Sequence, residues 1–193
     1  MIGAPPREHQ KPVDTNALVH RVFEFLPGYI GRMGLPVTTP KKSDVKLLTR
    51  YDGDWENAVQ LTNGWTFHAI SNEMTGFIAP KSLFSRDAAA DKGRPAKEYI
   101  GQWKLTEAAA RKIAEEAVRK HDPVRTMKLL ASAPRVQRAN DVGIYVIPRF
   151  AFEWYDDKTL SHARAEIDAS NGSVRFLFVF AALPQPRSPT AKP

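Results

Sequence analysis

Three clusters of residues have the types and spacing to do chemistry. The run Asp52-Gly53-Asp54-Trp55-Glu56-Asn57 brings several oxygen ligands together, as a calcium loop requires. A calcium loop of the EF-hand kind also needs glycine at its sixth position and glutamate at its twelfth. Those positions hold Asn57 and Asn63, so the run reads as a polar hairpin turn. His20 and Glu24 stand one helical turn apart and are both metal-ligand types, but no second histidine completes an HExxH pattern. His162, Arg164, Glu166 and Asp168 alternate along one strand face, where they could meet a polar or anionic ligand or face solvent.

Other chemistries are closed by composition. The chain has no cysteine, which removes disulfides, thiolate nucleophiles and cysteine-based metal centres. It has no GxSxG elbow, no phosphate-binding glycine loop and no GxGxxG turn. Asp156 and Asp157 are adjacent, so on a strand they would point to opposite faces; they read as the turn before Thr159. Asn171-Gly172-Ser173 fits a glycosylation sequon, but its turn role already explains it. Phe150, Phe152, Trp154, Phe176 and Phe178 recur at two-residue intervals, which favours a buried sheet face over a stacking platform for bases or sugars. No catalytic residue, cofactor site or metal site is expected.

Charge supplies the one positive hint of a partner. Lysine and arginine number 28 against 21 acidic residues, a net of +7, with most of the surplus in the second half. Arg125, Lys128, Arg135, Arg138 and Arg149 span a stretch whose only acidic residue is Asp141. If they converge, they form a basic rim suited to an acidic protein surface or acidic polymer. On alternating strands and a loop they need not converge. No recognition motif accompanies the charge, so nucleic acid is not expected as a partner.

The elements that must position these residues fall into two halves, each a helix followed by strands. With 42% hydrophobic residues the chain can build a sizeable core. No uninterrupted apolar run of about 18 residues exists, so no transmembrane helix is expected. Residues 1–13 and 183–193 are proline-rich and lack an apolar period, so both read as disordered tails. Residues 14–84 form the first unit. Asp14 or Thr15 caps a helix with Leu18, Val22, Phe25 and Leu26 on its apolar side, and Pro27-Gly28 should end or break it, with a short helical turn around Tyr29 to Met33. Strands are expected over 45–51, 57–62, 64–71 and 77–80, with Asp52-Gly53 and Asn63-Gly64 as turns. Residues 85–103 read as a linker or surface loop.

The second unit, 104–182, opens with the clearest element of the chain. Thr106 should cap a helix to His121 whose stripe is Ala110, Ile113, Ala114, Ala117 and His121. Val124 to Ala131 alternates like a strand, with Met127 and Leu129 on one side. Ala133 to Gly143 looks like an enlarged loop. Ile144 to Tyr155 follows as a long strand with a bulge or edge at Pro148, then Ser161 to Asp168. There Ala163, Ala165 and Ile167 should face inward and His162, Arg164, Glu166 and Asp168 outward. Asn171-Gly172 should turn the chain into Val174 to Phe180. A loose echo links the halves: Ile70 and Ile167 each precede a polar run, a glycine (Gly76, Gly172) and an apolar strand.

Leu105-Thr106, Ala110, Ile113-Ala114, Ala117, Glu166-Ile167-Asp168, Gly172 and Val174 together resemble the PepSY domain family. The likeness covers about residues 104–180, with a degenerate second copy in 14–80. The resemblance implies an α+β fold in which a cystatin-like helix packs on an antiparallel sheet, here as two tandem units. It implies a non-catalytic binding module, one that binds or inhibits a peptidase or another envelope partner. The alternative is a small enzyme or ligand-binding protein of the cystatin-like shape, its pocket not readable from sequence. No basic segment followed by an apolar one opens the chain, so the compartment stays open, leaning to secreted or periplasmic for a mature chain without its leader.

Overall fold

Val22, Leu26, Tyr29, Ile30 and Met33 recur at three- and four-residue intervals, and the helix they define, α1 (Thr15–Met33), buries all five. Our computed structural model describes residues 15–50, 57–70, 73–80, 103–140 and 148–180. Pro27 sits inside α1 and does not end it, contrary to the sequence reading. An interior proline costs roughly 3 kcal/mol. The stripe continues past it with Tyr29, Ile30 and Met33, and burying each such side chain is worth about 1.5–3 kcal/mol. Three buried side chains outweigh one missing backbone donor. Phe25, placed on the apolar side by spacing, is instead 45% exposed.

The strands are β1 (Val45–Arg50), β2 (Asn57–Leu61), β3 (Thr66–Ile70) and β4 (Glu73–Ile78), then β5 (Arg135–Asn140), β6 (Pro148–Asp156), β7 (Ser161–Asp168) and β8 (Val174–Phe180). All eight form one antiparallel sheet in the order β1-β2-β3-β4-β8-β7-β6-β5. The two halves therefore meet through their last strands, with Gly76 opposite Phe178, Phe77 opposite Leu177 and Ile78 opposite Phe176. The fold is α+β.

The second helix, α2 (Glu107–His121), starts where Thr106 accepts the Ala109 N–H on its hydroxyl at 3.2 Å. Its N-terminal approach is tied to the sheet, since the N–H groups of Lys104 and Leu105 both donate to the Ala169 carbonyl. Ala110, Ala114, Ala117 and Val118 are buried against β6, β7 and β8. Small side chains let the helix approach the sheet closely. Ala114→Leu should overpack this contact and cost about 1–3 kcal/mol. An unchanged midpoint in a urea melt would show that the stripe tolerates bulk.

One face of the sheet carries the core. Val59, Phe67, Phe77, Leu177, Ala165 and Phe152 stand side by side across neighbouring strands, all buried beneath the helices. Strict alternation along β6 keeps Phe150, Phe152 and Trp154 inward as expected.

Several elements differ from the sequence reading. The stretch after α2 is not a strand but a turn and a short helix, α3 (Met127–Leu130). Asp122 makes it so, its Oδ1 accepting the N–H groups of Val124 and Arg125 at 3.1 and 2.8 Å. In that helix Met127 is 67% exposed and Leu129 3%, so the alternation of Val124 to Ala131 carried no strand signal. The expected loop around 133–143 contains β5, an edge strand whose polar composition hides it from a hydrophobic pattern. Strand β4 begins four residues earlier than read and runs through Gly76. Pro148 is the first residue of β6, where a strand tolerates it.

In β7 Glu166 and Asp168, expected on a solvated outer face, are 8% and 0% exposed. The β7–β8 connection is longer than a two-residue hairpin. The Asp168 N–H donates to the Ser173 carbonyl and the Gly172 N–H to the Asp168 carbonyl, with Gly172 at φ +81°. Asp168 Oδ1 accepts both the N–H and the hydroxyl of Ser170, at 2.7 and 2.5 Å. Gly172 and Gly76 thus play different parts, a turn and a mid-strand contact, so the glycines of the echo do not correspond. The expected tails, the linker at 85–103 (apart from Trp103) and the Asp52-Gly53 turn lie outside the described residues.

Candidate functional site

The β2–β3 turn sets one wall of a cleft. Gly64 takes φ +89°, and the Trp65 N–H donates to Asn63 Oδ1 at 3.2 Å. This holds Trp65 against the sheet, stacked on Phe67 at 5.9 Å and tilted against Phe77 at 5.6 Å. Opposite stands the α2 face of Ile113 and Ala117, and the end of α1 with its following loop adds Met33 and Leu35. Between them lies a half-open cavity of about 310 Å³, lined also by Phe77 of β4 and Val174 of β8. Ala117, one of the lining residues, contributes only a methyl group.

The polar groups at its mouth are Glu116, Lys120 and Ser173. Glu116 Oε1 and Lys120 Nζ are 2.8 Å apart, and this hydrogen bond and charge hold the Glu116 carboxyl below its ordinary range. The pair is exposed, so its worth to stability is small. Among the described residues neither a histidine nor a second carboxylate lines the cleft.

A second polar cluster joins α1 to the last residue of α2. The Tyr29 hydroxyl and His121 Nδ1 are 3.0 Å apart and both side chains are buried. Burial is the main cause that pushes the His121 imidazole down to about 4, with Arg32 and Arg125 adding in the same direction. Burial also pushes the Tyr29 hydroxyl well above its ordinary range. The arrangement fits a neutral imidazole that accepts from Tyr29 and donates toward the Met74 backbone. Next to it Arg125 bridges Asp122 and Glu73, the latter at 2.9 Å. Residues of α1, α2 and β4 are thereby joined at one point. This is a tie between elements rather than an open site.

On the sheet face away from the helices, Glu166 takes two arginines, Arg149 at 2.8 Å and Arg164 at 2.6 Å. Beside them His162 Nε2 is 2.9 Å from Glu153. The strand face singled out from sequence is therefore self-paired, with Asp168 turned into the β7–β8 connection instead.

The five basic residues expected as a rim are spread over four places, the α2–α3 connection, α3, β5 and β6. Arg125 is committed to Asp122 and Glu73, and Arg149 to Glu166. Lys128 is exposed on α3. Arg135 and Arg138 share β5 but stand on opposite faces, across from Glu153 and Phe150 respectively. His20 and Glu24 are exposed on α1, and among the described residues no group of three metal-ligating side chains gathers. Asp156 accepts the Lys158 N–H and the Thr159 hydroxyl, as a turn residue does.

Sequence reasoning missed Trp65, Glu116 and Lys120 as cleft residues. The i,i+4 spacing of Glu116 and Lys120 was the only local signal, and it marks an exposed helix face in any protein. Among the described residues no helix is long and apolar enough to cross a membrane. No family model, curated protein or solved structure matches the chain.

Proposed function

We propose that the chain is a non-catalytic binding module built of two tandem PepSY-like, cystatin-like units, whose interhelical cleft grips an apolar anchor side chain of a protein partner, a peptidase or another envelope protein. The mirrored strand order supports the tandem reading, because each half supplies one long helix and four consecutive antiparallel strands. The observation that carries the binding reading is the cleft itself. Its wall and floor are apolar, its volume of about 310 Å³ suits one or two side chains, and its charged rim groups neutralise each other. An anchor residue buried there would contribute about 1.5–3 kcal/mol, the scale of an interface hot spot.

Displayed peptide libraries test this directly. The wild-type protein should enrich peptides that share one aromatic or leucine residue, and their binding should change Trp65 emission. Ala117→Phe, which fills the cleft, should weaken them at least tenfold. Equal binding by both proteins would remove the cleft from the function. Turnover of a peptide or ester, abolished by a single histidine or carboxylate substitution, would replace the binding reading with the enzymatic one.

A further inference from the structure

Strand β5 ends the sheet and bonds only to β6, so its other edge presents unpaired backbone N–H and C=O groups among the described residues. Arg135, Val136, Gln137 and Arg138 are all exposed, Val136 at 36%. The Arg138 guanidinium lies 4.7 Å above the Trp103 ring and 5.5 Å from that of Phe150. Stacking orients the guanidinium while leaving its N–H fork free at the rim. Among the described residues neither Arg135 nor Arg138 forms an ion pair, and Glu153, across from Arg135, is engaged with His162.

We propose that β5 is a docking strand for an extended acidic segment of a partner protein, which joins the sheet as a ninth strand. Main-chain bonds along the edge would supply affinity and the two arginines the specificity. Arg135 and Arg138 are three residues apart and lie on opposite faces, so the added strand needs carboxylates at the same spacing, one on each face. A second copy of this chain is a poor occupant. It would bring four guanidiniums onto a six-residue ladder that holds no carboxylate, between molecules of net charge +7.

The probe is a fluorescein-labelled threonine- and valine-rich ten-residue peptide with two glutamates three residues apart, followed by anisotropy at low and high salt. Binding should weaken with salt, and at least tenfold in Arg138→Glu. Arg138→Gln, which keeps the side chain's size, should fall between. Amide exchange of residues 135–140 should slow when the peptide is present. Four results would overturn the proposal: equal binding of a lysine-substituted peptide, no effect of either Arg138 variant, no protection of β5, or displacement by inorganic polyphosphate at similar concentration, which would mark a generic polyanion surface. A dimer in sedimentation that Arg138→Glu disrupts would assign the edge to a second copy and overturn it as well.

Discussion

Gly76→Ala should destabilise the protein by at least about 3 kcal/mol, the upper end of an overpacking effect and more than any surface substitution. A Cβ on Gly76 would lie 1.8 Å from the Leu177 carbonyl oxygen and 2.7 Å from its carbon. Those atoms are backbone of the facing strand, so no side-chain rotation can relieve the clash. The seam it would pry apart is short, with three residue pairs and one further bond from the Ala79 N–H to the Arg175 carbonyl. Amide exchange should speed up along β4 and β8 while β6 and β7, paired over eight positions, keep their protection. A guanidinium midpoint equal to wild type would mean that the two halves are held together by the helices alone.

Acidification should weaken the protein through His121. Its imidazole is lowered from 6.5 to about 4 in the folded state. Between those values the unfolded chain binds a proton that the folded chain refuses, so unfolding gains as pH falls. The stabilisation is complete above about pH 6.5, declines below it, and is gone under about pH 4, for a total of roughly 3 kcal/mol. Carboxylates elsewhere also titrate in this range, so the informative quantity is a difference. His121→Gln should be less stable than wild type at pH 7, because the Tyr29 hydroxyl loses a well-placed acceptor. The gap between the two proteins should then close toward pH 4. Parallel stability curves for both proteins across pH 4–7 would exclude His121 as the source.

Local signals carried much of the second half. Thr106, the alanine stripe and the stop at Asp122-Pro123 define α2 to within a residue of its observed ends. The alternation of Phe150, Phe152 and Trp154 and of Ala163, Ala165 and Ile167 reports a sheet with one dry face, and both strands follow it. These features are short-range: a cap, a helical period and a two-residue period each need only neighbours in sequence. Where tertiary burial competed with a local rule, the local rule lost. Pro27 should have ended α1, but the side chains beyond it had a core to enter.

What the sequence alone determined, then, is the set of elements whose period or capping is self-contained, together with the chemistries that the missing cysteine and missing motifs rule out. What only the tertiary structure decided is how those elements meet. β5 is a strand because β6 offers it an edge, and nothing in Arg135–Asn140 announces this. Gly76 reads in sequence as the residue before a strand and is a mid-strand contact in space, because its partner, Leu177, lies about a hundred positions away. The cleft arises where Trp65, Ala117 and Met33 converge from three separate elements. Sites of that kind depend on contacts between residues distant in the chain, and hydrophobic patterning constrains each element's buried face without specifying which other face it will meet.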